Sequence, residues 1–364
     1  MSIDTNQKVF FELLRAGLWE KEVRLAQYKA IDFAIIMRLA EEQSVVGLVT
    51  AGLEQVKDTK IPQEWTLQFI GATLQIEQRN KAMNDYVAKL IEHLRSFDIY
   101  TLLVKGQGIS QCYERPFWRA SGDVDLLLSS ENYEKAKGIL VLQALDVEKE
   151  YKSFKHLGMT MQGGYMVELH GTFHGRLSKR VDRVIDEAQN RALYLGEVRS
   201  WINGQTSIFL PSPDNDVIFV FTHILHHYYI EGVGLRQICD WCRLLWTYRE
   251  SLNRKRLESE IKEAGLMSEW KAFAALAVEW LGMPAEAIPL YSSDKKWSQK
   301  DKRILSFILE SGNFGHNRYV SKGKISAIWQ KTKDFARHAT VFPWDSIKFY
   351  IHFVRDGLRI ATDK

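Results

Sequence analysis

Two acidic residues at alternate positions, Asp123 and Asp125, open an apolar run, 124-VDLLL-128. On a strand they share one face and lie about 7 Å apart along the backbone. Carboxylates that close repel one another when partly buried. A hard divalent cation relieves that repulsion, and Mg²⁺ takes one or two carboxylates together with phosphate oxygens and water. By itself an Asp-x-Asp tripeptide is weak, because surface loops produce it by chance. A third acid, Glu168, sits inside a second apolar run, 165-YMVELH-170, where a buried charge is costly. Three neighbouring carboxylates would fit shared metal ions; an edge strand with Glu168 in water fits the sequence as well. His170 projects from the same face as Glu168 and can orient a metal-bound water, contact a phosphate or simply end a strand.

Just upstream runs 104-VKGQGISQCY-113. Gly106 and Gly108 let a backbone approach a ligand closely, and Lys105 adds a point charge. A helix expected through Ile109 and Tyr113 would offer free N–H groups to phosphates. The stretch is neither a Walker loop nor a GxGxxG fingerprint.

The elements that must position these residues fall into three groups. Residues 1–97 have helical periodicity, with a long helix (or two joined near Gly71) over 61–97. There Leu67, Ile70, Leu74, Ile76, Met83, Tyr86, Leu90, Ile91 and Leu94 are expected to form one broad apolar face. Residues 98–211 have the mixed texture of an α/β segment. Strands are expected at 99–104, 124–128 and 165–170, a helix at 131–145, and a hairpin at 198–211 turning at Asn203-Gly204. Residues 212–364 are helical again, with Ser212 or Asp214 capping the first helix. The fold class expected is α+β, a small mixed-sheet core flanked by helical regions.

The 364 residues carry 49 basic and 45 acidic side chains, a formal net charge of +4. So balanced a chain does not suggest a dedicated nucleic-acid binder. Three cysteines make no disulfide framework, the first residues lack the apolar core of a signal peptide, and no apolar run is long enough to span a bilayer. A cytoplasmic protein in a reducing compartment is expected.

The order strand, glycine turn, helix, Asp-x-Asp strand, helix and a strand with a third acid resembles the DNA polymerase β-type nucleotidyltransferases. More closely, residues 99–170 resemble a bacterial branch of uncharacterised nucleotidyltransferase-like proteins. The likeness rests on Lys105-Gly106, Tyr113, Arg119, Gly122-Asp123-Val124-Asp125 and Glu168-Leu169-His170. Residues 211–245 resemble it through His223, His226, His227 and 234-GLRQICD-240.

The resemblance implies that Asp123, Asp125 and Glu168 are catalytic and hold Mg²⁺ or Mn²⁺. Asp123 and Asp125 would bind the ion on the triphosphate, and Asp125 and Glu168 a second ion at the acceptor. It also implies nucleotide contacts from Lys105, Gly106, Gln107, Arg119, Gly122 and His170, with His226 and Arg236 as possible substrate contacts. The reaction implied is transfer of a nucleoside monophosphate from a nucleoside triphosphate to an acceptor, releasing pyrophosphate. The wider superfamily writes its turn as Gly-Ser. Here no serine follows Gly106, which leaves Lys105, Gln107 or Ser110 to meet the phosphates. The acceptor is open between a small molecule, a glycan precursor, a protein and RNA.

Two other readings remain. A degenerate domain would sense nucleotides or bind a partner; a sugar-nucleotide glycosyltransferase would need a larger α/β half before its Asp-x-Asp. Cys239 and Cys242 lack the second pair of a zinc site and are expected in the core or at an interface. The basic stretches 294–303 and 318–333 are expected to be solvated helix faces. The aromatic-rich segment 344–360 is expected to be core or an oligomer contact.

Overall fold

The computed structural model describes residues 4–150, 155–175, 177–315, 317 and 324–362. Four helices come first: α1 (Thr5–Trp19), α2 (Phe33–Glu42), α3 (Val46–Glu54) and α4 (Gln63–Arg95). The middle of the chain holds β1 (Leu102–Val104), α5 (Gly106–Ser110), β2 (Asp123–Leu127), α6 (Ser130–Leu140), β3 (Asp146–Val147), β4 (His156–Thr160), β5 (Met166–His170), α7 (Lys179–Tyr194), β6 (Val198–Asn203) and β7 (Thr206–Pro211). Then follow α8 (Pro213–Ile230), α9 (Leu235–Thr247), α10 (Arg254–Ala264), α11 (Met267–Leu281), α12 (Lys295–Ser311), α13 (Lys324–Ala339) and α14 (Pro343–Thr362). The architecture is α+β, as the sequence leads one to expect.

The five strands β1 to β5 form one mixed sheet in the order β1-β2-β5-β4-β3. β2 and β5 run parallel, and every other pairing is antiparallel. Alternation along the strands gives the sheet two unlike faces. One carries Val124, Leu126, Leu157, Met159, Val167 and Leu169, buried in a single apolar cluster with Met83, Val87 and Leu94 of α4 and Tyr133 and Leu140 of α6. The other carries Asp123, Asp125, His156, Glu168 and His170, and it faces α8 and α9 across a cleft.

A second and larger core mixes side chains of α1 to α3 with those of α8 to α12. Its tightest helix pair depends on glycine. A methyl group on Gly17 would lie 1.8 Å from the Leu48 carbonyl oxygen, and one on Gly52 would lie 2.0 Å from that of Leu13. α1 starts with a capping box between Asp4 and Gln7, and α8 with the Ser212 hydroxyl accepting from the Asn215 N–H ahead of Pro213.

Several expectations are corrected in detail. α4 is one unbroken helix through Gly71. Its periodic apolar residues do not all face the core, since Leu67, Ile70 and Leu74 are exposed while Phe69 and Thr73 are buried. The amino-terminal half of α4 packs by a face rotated from the one the periodicity marks. The hairpin turn is Gly204-Gln205, because Asn203 still pairs with Thr206. β6 and β7 form a two-stranded sheet of their own. The helix expected at 131–145 ends at Leu140. β3 and β4 were not anticipated. The stretch 294–303 is largely the start of α12; of 318–333, residues 318–323 lie outside the described residues. Cys112, Cys239 and Cys242 are all buried and free. Among the described residues no helix is long and apolar enough to cross a membrane.

Candidate active site

β2 is the centre of the site because its neighbours on both sides deliver polar groups to one face. In the parallel pairing of β2 with β5, Asp125 is directly opposite Glu168. Asp123 precedes Asp125 by one pleat on the same face, and carboxylate oxygens of all three residues lie within 4.8 Å of one another. β4 adds His156 opposite His170. His156 Nε2 is 3.2 Å and His170 Nε2 3.3 Å from Glu168 Oε2, and His170 Nε2 is 2.9 Å from Asp125 Oδ1.

Lys105 enters from the turn after β1. Its ammonium donates to Asp125 Oδ1 at 2.7 Å and lies 5.3 Å from the centre of the Phe173 ring. Its backbone is at φ 57°, ψ −145°, a region essentially restricted to glycine and costing of order 1–3 kcal/mol for other residues.

Electrostatics ties these groups together. Asp125, and then burial, push the Asp123 carboxyl above its ordinary pKa. Burial also opposes charge on Glu168, but His156, His170 and Lys105 outweigh it and hold that carboxyl far below the usual range. Burial opposes charge on Lys105 and His170 too. Asp125, Glu168 and Asp123 hold Lys105 above its ordinary value, and Asp125 and Glu168 do the same for His170.

The cleft over this face has a volume of about 520 Å³, within the range of small-molecule sites. Its opposite wall comes from α8 and from the segment after β5. Along that wall His227 Nδ1 is 3.0 Å from Glu231 Oε2, and His227 Nε2 is 3.0 Å from His223 Nε2. His226 Nδ1 is 2.6 Å from the Gly175 carbonyl oxygen. Burial, and then Lys105, push the His223 pKa well below the ordinary imidazole value, so the ring is neutral at pH 7.

Beneath the cleft a buried polar network joins the segment before β2 to α9. Arg119 donates from Nε and Nη2 to the two carboxylate oxygens of Asp240, at 3.0 and 2.6 Å, and from Nη1 to Ser121 Oγ. Tyr113 Oη donates to Asp240 Oδ1 at 2.7 Å, and Arg236 Nη1 to the Ala120 carbonyl at 2.8 Å.

Of the residues singled out from sequence, Asp123, Asp125, Glu168, His170, Lys105, Gly106, Arg119, His226 and Arg236 line the cleft. Gln107 and Gly122 do not. The Gln107 amide instead points to Asn80 Oδ1 on α4, 3.4 Å away. Ser110 also turns away, donating to the Gln107 carbonyl. Lys105 is thus the one member of the Lys105, Gln107, Ser110 set on the cleft wall. α5 ends at Ser110 instead of continuing through Tyr113, so it is too short to offer phosphates a strong dipole end. Sequence reasoning missed His156, Glu231 and Phe173. The signal for His156 is the short alternation of Leu157 and Met159 beside it, which Gly158 disguises.

No curated protein and no solved structure matches the chain. A family model does, over residues 29–282, which include the whole mixed sheet and both helices facing it. The chain belongs to the family described as uncharacterised nucleotidyltransferases.

Proposed function

We propose that this protein is a divalent-cation-dependent nucleotidyltransferase that moves a nucleoside monophosphate from a nucleoside triphosphate to an acceptor hydroxyl. The observation that carries the reading is the convergence of Asp123, Asp125 and Glu168 within 4.8 Å on one sheet face. An all-oxygen donor set of carboxylates fits Mg²⁺ or Mn²⁺, so these three residues would hold the ion. A bound ion supplies charge neutralisation on the triphosphate and polarises the α-phosphate.

The remaining chemistry is assigned to the chain's own groups. Lys105 sets a second positive charge beside the carboxylates, where phosphate oxygens would lie. Arg119 acts by position: with its donors on Asp240 and Ser121, it fixes the segment leading into Asp123. The acceptor oxygen forms a bond to the α-phosphorus while the bond to the bridging oxygen breaks, and pyrophosphate leaves with that electron pair. The acceptor's proton passes to a base.

Incubation of the protein with α-labelled nucleoside triphosphates, Mg²⁺ and a cell extract tests the reading. Label appearing on an acceptor, with stoichiometric pyrophosphate, supports it. Triphosphate binding without transfer to any acceptor would favour a nucleotide-sensing module instead.

A further inference from the structure

Asp125 Oδ1 is an occupied atom. A carboxylate oxygen has two acceptor positions, and here Lys105 Nζ takes one at 2.7 Å while His170 Nε2 stands 2.9 Å away at the other. A carboxylate that bridges two ions commonly offers one oxygen to each. With Oδ1 engaged, only Oδ2 remains for a metal.

Lys105 is not there by the drift of a surface side chain. Its backbone sits where glycine alone is comfortable, next to Gly106 at φ 36°. Strain of this kind survives only where the surroundings over-determine it, and it gathers at functional sites. The strained turn aims the side chain beneath Phe173 and into the three carboxylates. A glycine at position 105 would suit the backbone and leave a gap the size of a cation beside Asp125.

We propose that Lys105 is a built-in counter-cation that takes the place of a second divalent ion, so that the centre loads one ion per chain, on Asp123, Glu168 and the Oδ2 side of Asp125. Lys105 can have this role only if the three carboxylates hold a divalent cation, as proposed above. Lys105 would then stand in for a metal as well as meet phosphate oxygens.

The number of Mn²⁺ ions bound per full-length chain, read from the paramagnetic resonance signal of free Mn²⁺ during titration, tests this. Ions still bound by Asp123→Asn/Asp125→Asn are subtracted as surface sites. One site-specific ion is expected on the wild type and two on Lys105→Gly. Two ions on the wild type, or one on a folded Lys105→Gly chain, overturn the role of Lys105 and leave the metal reading standing. No site-specific ion on the wild type overturns both. A wild-type count of two overturns the proposal even where the variant does not fold.

Discussion

Asp125 and Glu168 face each other in register on two parallel neighbouring strands, and the turn after β1 seats Lys105 on the first of them. Their neighbourhood is a cluster of opposite charges, with His170 bridging the two carboxylates.

The Arg119–Asp240 pair is buried, with both side chains 5% exposed. Removing one partner strands the other, and loss of a buried charge partner costs roughly 3–5 kcal/mol. Arg119→Met and Asp240→Asn should each lower the urea midpoint accordingly. Arg119→Met/Asp240→Leu should recover much of that loss, because neither charge is left alone. Additive losses in the double variant contradict the pairing.

Glu269 of α11 is fully buried. Its Oε1 accepts from Tyr229 Oη at 3.1 Å, and its Oε2 has no hydrogen-bond partner. Burial, and then the Asp345 carboxylate, push its pKa up to about 8 from an ordinary 4.5. The folded chain therefore keeps a proton that the unfolded chain releases from pH 4.5 upward. The stability this group contributes is full below pH 4.5 and is lost as pH rises through 8. Glu269→Gln should remove that slope, gaining up to about 5 kcal/mol on the wild type between the two limits. Urea unfolding at several pH values reads it; a wild-type-to-variant difference that does not change with pH contradicts the assignment.

Two glycines should respond in opposite directions to alanine. At Gly52 the added methyl meets the Leu13 carbonyl oxygen at 2.0 Å, so α1 and α3 must separate and Gly52→Ala should destabilise by roughly 1–3 kcal/mol. At Gly71, inside α4, nothing lies within 4 Å of the new methyl, and Gly71→Ala should stabilise by about 1 kcal/mol. Thermal unfolding of both variants checks the pair.

The carboxylates could be placed from sequence because strand alternation is local: Asp123 and Asp125 share a face whatever the rest of the chain does. The apolar run around Glu168 leaves two places for it, beside the aspartates or on a water-facing edge, and the parallel pairing of β2 with β5 puts it beside Asp125. His156 could not be placed: its strand is the first arm of a hairpin with β5, but Gly158 at its centre weakens the strand signal. Arg119 is expected from the resemblance to contact the nucleotide, and its pairing with Asp240 is not legible because nothing near it in sequence announces a partner 121 residues away. The exposed Leu67, Ile70 and Leu74 show the converse failure. Their spacing marks an apolar stripe, but the other elements cover a different face of that half of the helix. Gln107 misled in a third way, being one residue from a site-lining glycine while its side chain turns toward α4.

The central claim is that Asp123, Asp125 and Glu168 hold a divalent cation that recruits a nucleoside triphosphate. Equilibrium binding of labelled nucleoside triphosphates to the wild type and to Asp123→Asn/Asp125→Asn, with and without Mg²⁺ or Mn²⁺, tests it most directly. Binding that requires the cation and disappears in the double variant is the predicted result. Equal binding by the two proteins contradicts it.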